Sequence, residues 1–428
     1  MAAPPCSSDA LSWVSQYRQG LDMLNRFTFS RRASFWTAAA VVAHTLWTSA
    51  APAMTYPLYA RQWGLTPFAT TAIFAIYPIV VVLVLVGFGD ISDYVGRRKT
   101  MLFGLAASLI GVLLFAVAPD VWWVLVGRAF MGIGVGLSAG PSAAALVEFS
   151  APGQGQKASA ITTLAQVTGL ICAALVGGAL IQYAPFPTRL NFIVLLVVLA
   201  GIFAATWFLP RHLSTEASGP WRFKAIVIPR GLRKIFATST IAVTASYAMG
   251  TIILSLGAQI AHDVIGSPNA MVNGATIALF AFVGGAVAIP ARGLKSSATI
   301  LIGGLSSLTA VGLLAFSASQ HSLSLFATAL VFGGISYSLL FSGGLGLLNA
   351  NAPPRHRGGT LSALFLVAYL AQGLAALLLG KIATLYGLNF AVDVGSAIIA
   401  GLSLCAMLLA VLYASPTPSS RHVIGNRP

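Results

Sequence analysis

The sequence predicts an all-α membrane protein, with twelve transmembrane helices arranged as two pseudo-symmetric six-helix bundles. Three observations carry that expectation. Only 8% of the 428 residues are charged while 57% are hydrophobic, whereas soluble chains carry roughly a quarter charged. Mean hydropathy is +0.87, so most of the chain is unsuited to water. The 43 glycines and 21 prolines are scattered through apolar stretches, a use that membrane helices tolerate. Disorder, a fibrous protein and a cytosolic enzyme are excluded by the same figures.

A crossing helix needs about 20 mostly apolar residues. Such runs fall near 34–59, 68–88, 100–118, 121–147, 158–182 and 190–209, and again near 236–261, 271–291, 297–317, 322–350, 359–383 and 389–413. They are numbered here spans 1 to 12. The chain then divides into an N-terminal segment (1–33), a first bundle (34–210), a central loop (211–235), a second bundle (236–413) and a tail (414–428). The first apolar run is long enough to span and its polar leader is too long for a cleaved signal, so span 1 is expected to remain in the chain.

The net charge of +15 is distributed as short basic clusters between apolar runs. That is a topology signal rather than a nucleic-acid face, and no nucleic-acid partner is expected. With the N-terminus in the cytoplasm, all of the 24 lysines and arginines sort to that side except Arg61, Arg128, Arg189 and Lys381. Both termini are therefore expected in the cytoplasm, with the chain in a bacterial inner membrane. Residues 14–24 and 221–236 have the apolar and basic spacing either of segments that lie on membrane lipid or of basic loops that merely stay inside. Cys6, Cys172 and Cys405 form no CxxC pair, so neither metal nor disulfide is expected.

A faint repeat supports two halves. Ala151-Pro152 leads into span 5 and Ala352-Pro353 leads into span 11, at matching positions. Parallel six-span repeats require such an offset of about half the chain.

Chemistry concentrates in a few places. Between spans 2 and 3 stands Gly89-Asp90-Ile91-Ser92-Asp93-Tyr94-Val95-Gly96-Arg97-Arg98-Lys99. Gly89 permits close helix approach and Gly96 a tight turn. Asp93 can accept backbone N–H bonds or meet a cation, and Arg97 and Arg98 can meet acids or lipid phosphates. This loop resembles the signature of the major facilitator superfamily, glycine-x-x-x-aspartate-x-x-glycine followed by basic residues. Tyr94 stands where that family usually carries a basic residue, and the matching loop of the second half, residues 290–297, has no acid. In span 4, Arg128 followed by Gly132, Gly134 and Gly136 is similar to the family's arginine-then-glycines motif. Gly132, Gly136 and Gly140 fall four apart and predict a helix-packing face. Span 5 has Gly177-Gly178 but Ala173-Ala174 in place of the glycine-proline pair common in the family's proton antiporters.

The resemblance, to the drug and metabolite efflux branch, implies a secondary transporter rather than an enzyme. It implies two bundles rocking about a cavity lined by spans 1, 4, 7 and 10, a small-molecule substrate, and function as a monomer without a cofactor. None of the nine acidic residues lies at mid-depth. His44 and Trp47 in span 1, Arg128, Tyr247, Tyr337 and Gln372 are the polar or aromatic candidates for the cavity. His44 titrates nearest neutral pH. It is expected either to share one cavity with the fixed charge of Arg128 and couple transport to protons, or to be a neutral histidine hydrogen-bonded inside the bundle. An apolar, aromatic lining favours amphiphilic or weakly polar solutes, with efflux first and uptake of a small organic acid or sugar as the alternative. A receptor or intramembrane enzyme would need polar clusters that the sequence lacks.

Overall fold

The computed structural model describes residues 28–151, 154–210 and 228–413. Residues 14–24, and 221–227 of the second segment expected to lie on lipid, fall outside these residues, while its remainder enters the start of span 7. Among the described residues the chain is helical, with no strand. Eleven helices are long and apolar enough to cross a membrane: Pro67–Phe88, Arg97–Val117, Val121–Phe149, Lys157–Tyr183, Leu190–Trp207, Arg230–Val264, Ala270–Gly293, Ser296–Gln320, Leu323–Asn351, Arg357–Tyr386 and Leu388–Tyr413. These are spans 2 to 12. Span 1 is built from an α-helix Arg31–Ala50, a 3₁₀ stretch Ala51–Thr55 and a second helix Tyr56–Trp63. It is less apolar than the others because Thr37, His44, Thr45, Trp47, Thr48 and Ser49 dilute its alanines and valines.

Helix ends follow local chemistry. Pro52 interrupts span 1 and Pro57 sits in the first turn of its second helix, since proline cannot donate to the ladder. Gly64, in the left-handed conformation at φ +61°, ends that helix. The Asp120 carboxylate accepts the backbone N–H groups of Trp122 and Trp123 and so starts span 4. Thr66, Asn269 and Ser322 cap spans 2, 8 and 10 in the same manner.

Consecutive spans run antiparallel, so their turns alternate between two faces. The face that carries Ser30 and Gly96 is called proximal, and the face that carries Gly64 and Asp120 distal. Spans 3 and 4 pack closely, and a side chain at Gly111 would meet the Gly127 carbonyl at 2.7 Å. Between the halves, span 2 packs on span 11 and span 5 on span 8.

Span 7 is also interrupted, by π-helical turns at Ile252–Leu256 and Ile260–Val264. The first of these stands 201 positions after the 3₁₀ stretch Ala51–Thr55, residue for residue. The turns that lead into spans 5 and 11 share this spacing, since Ala151 and Ala352 are also 201 positions apart. The two interruptions touch across the boundary between halves.

The small-residue face of span 4 is shorter than its spacing predicts. Side chains at Gly132 and Gly136 would meet Val80 at 2.9 Å and Val84 at 2.8 Å on span 2, whereas one at Gly140 would meet nothing within 4 Å. Gly140 is therefore removed from the packing face, because span 4 has passed the contact with span 2 at that level. Gly132→Leu is expected to lower the melting temperature in detergent by several degrees through overpacking, a cost of about 1–3 kcal/mol. Gly140→Leu is expected to melt with the wild type.

Candidate functional site

Near the middle of its span, each of four helices presents an aromatic side chain to one group. The Tyr247 ring of span 7 lies 5.0 Å from Tyr369 of span 11, 6.0 Å from Phe341 and 6.4 Å from Tyr337 of span 10. Phe280 of span 8 meets Tyr337 edge-on at 5.5 Å. Tyr77, from span 2 in the other half, comes within electrostatic range of Tyr247, Tyr337 and Tyr369. The Ser246 hydroxyl donates to the Tyr337 carbonyl at 2.7 Å and fixes span 7 against span 10. The group is apolar in its faces and carries four phenolic hydroxyls, which both donate and accept. Tyr247 and Tyr337 were legible from the sequence. Tyr77, Tyr369 and Phe341 were not, although a phenol at mid-span was signal enough for Tyr77 and Tyr369. Gln372 is half-buried one turn beyond Tyr369.

The remaining cavity candidates belong to the first half. Arg128 is fully buried. Its Nη1 donates to the Ser49 carbonyl at 2.9 Å and its Nε to the Ile73 carbonyl at 3.2 Å. The guanidinium lies over the rings of Tyr77 at 4.8 Å and Phe74 at 5.9 Å. His44 is 1% exposed, with Nδ1 2.5 Å from the Val41 carbonyl and Nε2 3.4 Å from the Ser108 hydroxyl. His44 and Arg128, expected to share one cavity, have no hydrogen-bond partner in common among the described residues. His44 turns to span 3, while Arg128 turns to spans 1 and 2, where two backbone carbonyls accept from it and its Nη2 is buried without a hydrogen-bond partner among the described residues. Trp47 is half-buried, packs among core residues and has its indole N–H buried without an acceptor among the described residues.

At the proximal face, Gly96 turns the chain at φ +97° between the short helix Ser92–Val95 and span 3. A Cβ at Gly89 would meet the Leu85 carbonyl at 2.4 Å. Arg97 forms an ion pair with Glu148 at the end of span 4. Arg98 donates to the Trp207 carbonyl and lies 5.8 Å over its ring. The loop thus ties spans 4 and 6 to the turn between spans 2 and 3. The Asp93 carboxylate is half-buried and has no partner among the described residues.

Hydrogen bonds join the halves at both faces. At the proximal one Arg292 donates to the Thr163 hydroxyl at 3.4 Å, and at the distal one there are two among the described residues. The Phe68 N–H donates to the Thr384 hydroxyl at 3.0 Å, and the Ala270 N–H donates to the Gln182 side-chain oxygen at 2.8 Å. Met54 of the first half packs among Met249, Ile252 and Ile253 of the second. No group of three or more metal-ligating side chains occurs among the described residues.

The profile of the Major Facilitator Superfamily matches residues 36–296. The chain belongs to that superfamily. It is an integral, multi-pass membrane protein of a family of transporters rather than of enzymes. Among curated relatives, "Multidrug resistance protein MdtH" of Yersinia enterocolitica is 22% identical over 183 residues, 43% of this chain and 45% of the relative. The protein of the same name from Yersinia pestis is 23% identical over the same share. The match thus spans less than half the length of these relatives. Solved superfamily structures extend the likeness to nearly the whole fold. A bacterial homologue of the human lysosomal transporter Spinster, inward-facing and unoccupied, superposes with TM-score 0.72 at 14% identity, covering 91% of this chain and 99% of that one. A POT family transporter in complex with 5-aminolevulinic acid gives TM-score 0.73 at 10% identity, covering 89% and 96%.

Proposed function

We propose that the chain is a secondary transporter that exports a small, amphiphilic or weakly polar solute by alternating access, driven by protons, and works as a monomer. Its halves are residues 34–210 and 236–413. The basic residues orient it in a bacterial inner membrane with both termini cytoplasmic, which makes the proximal face cytoplasmic and the distal face external.

The aromatic group of Tyr247, Tyr337, Tyr369 and Phe341 carries this reading. It lies at mid-depth beside a tyrosine of the opposite half, where a site must stand if each face is to reach it in turn. Flat rings with single hydroxyls suit solutes that combine an apolar body and a few polar atoms. The name of the Yersinia relatives supports efflux. His44 is enclosed within the first half, so proton coupling is assigned to boundary carboxylates, with Asp93 of the signature loop first.

Purified protein in proteoliposomes, given a pH gradient and a fluorescent amphiphilic dye, tests the reading. Dye is expected to accumulate against its gradient, and a protonophore is expected to collapse the accumulation. Tyr247→Ala is expected to lower the initial rate about tenfold, the loss of one to two aromatic contacts. Equilibration without accumulation would make the protein a facilitator, and absence of flux for a broad dye set would sink the export reading.

A further inference from the structure

Arg61 and Arg189 break the charge asymmetry of the chain, and the fold brings them to one place. Both line a cavity of about 680 Å³ at the distal face, together with Leu58, Gln62, Phe186 and Thr188. Leu58 and Arg61 also line a narrower neighbouring cavity of about 170 Å³, whose other walls include Gln182 of the first half and His262 and Asn273 of the second. The two cavities share a wall and form one mouth over the distal contact between the halves.

Local structure aims the two arginines. Arg61 occupies the last turn of the helix that Gly64 terminates. Arg189 follows Phe186, a non-glycine residue held at φ +54°, a conformation that costs roughly 1–2 kcal/mol. The Phe186 carbonyl accepts the backbone N–H groups of Arg189 and Leu190 at 2.9 and 3.0 Å. That turn fixes the direction in which span 6 begins and hence where Arg189 stands.

Among the described residues, no aspartate or glutamate lines either cavity. Arg61 spends its Nε on the Pro57 carbonyl at 3.4 Å, which leaves the rest of its guanidinium to the cavity. Asp263, which lines neither cavity, meets His262 at 2.6 Å through one carboxylate oxygen. Two guanidinium groups on one wall repel each other, and external loops ordinarily avoid such residues. An anion relieves both costs, and a guanidinium fork matches the paired oxygens of carboxylate and phosphate.

We propose that Arg61 and Arg189 form an anion site at the distal mouth, which takes a carboxylate or phosphate group. The anion is either soluble or the headgroup of an anionic phospholipid. The site is separate from the aromatic group and independent of the direction of transport, while its place in external loops rests on the proposed orientation.

The test uses the full chain in neutral detergent and in phosphatidylcholine nanodiscs. Thermal-shift titrations are run with inorganic phosphate and with benzoate in detergent, and with phosphatidylglycerol added to the nanodiscs. At least one probe is expected to stabilise the wild type, and Arg61→Gln with Arg189→Gln is expected to weaken its apparent affinity about tenfold or more. Each single variant is expected to weaken it by about threefold and carries the test if the double variant does not fold. Lys381→Gln, an exposed basic residue outside both cavities, is expected to respond as the wild type. Stabilisation by phosphate or benzoate identifies a soluble anion, and stabilisation by phosphatidylglycerol alone identifies a headgroup. The proposal is overturned if no probe stabilises the wild type, if the double variant responds undiminished, or if Lys381→Gln loses the response equally.

Discussion

Arg128→Ala is expected to cost at least about 3 kcal/mol of stability, because two charge-assisted hydrogen bonds of about 1.5 kcal/mol or more each disappear. The Ser49 and Ile73 carbonyls that accept them are buried beside the guanidinium, and alanine leaves a cavity in their place. Ser49 stands just before the interruption of span 1, so the loss also frees the join between that helix and span 4. Arg128→Lys keeps the charge, but one ammonium cannot span both carbonyls as the planar fork does. It is expected to recover about half the loss. Unfolding in detergent, followed by tryptophan fluorescence, reads the effect. An Arg128→Ala protein that unfolds with the wild type would show that the buried arginine ties nothing together.

Gly274→Val is expected to abolish transport while leaving each half folded. A Cβ at Gly274 would stand 2.4 Å from the Ala174 carbonyl and 3.4 Å from the Gly178 Cα. Both lie on span 5 in the opposite half, and backbone does not yield as a side chain does. Valine therefore wedges spans 5 and 8 apart at the distal face. Packed interfaces respond to such wedges by switching arrangement rather than by stretching. The expected population is open on that face and unable to return, with flux reduced by about a hundredfold or more. Met54, only 4% exposed, reports on this when replaced by cysteine in a background without the native cysteines. Met54→Cys is expected to be protected from thiol reagents in the parent and labelled in the Gly274→Val protein. Wild-type flux with Met54→Cys still protected would show that the distal contact does not move.

The span count was legible because lipid demands about 20 apolar residues per crossing whatever the tertiary contacts. Span 1 is the element nearest to escaping that rule, since its polar residues face protein rather than lipid. The signature loop was legible because its glycines answer to backbone geometry, as at Gly96. Partners chosen across the bundle were not. Arg97 meets Glu148 and Arg98 meets Trp207 through helix packing that no local spacing encodes. Depth along a span puts His44 and Arg128 near each other, but depth says nothing of azimuth, and the two point to different neighbours. The same limit hides Gly140, whose spacing is right and whose partner helix has ended. Tyr77 and Tyr369 carry the same signal as Tyr247 and Tyr337, a phenol at mid-span, but that the four converge depends on helix packing that the spacing does not encode.

The matched interruptions in spans 1 and 7 change what a rocking motion must overcome. A regular helix resists bending because each new angle sacrifices part of its ladder. Here the α ladder already gives way to 3₁₀ bonding at Ala51–Thr55 and to π bonding at Ile252–Leu256, where the two helices touch. A 3₁₀ turn rises about 2.0 Å per residue against 1.5 Å for an α turn. Relaxing the five residues Ala51–Thr55 to α geometry would therefore draw in span 1 by about 2.5 Å. An overwound coil laid against an underwound one behaves as a turnbuckle: each can take up or give out slack at the joint without unravelling the rod on either side.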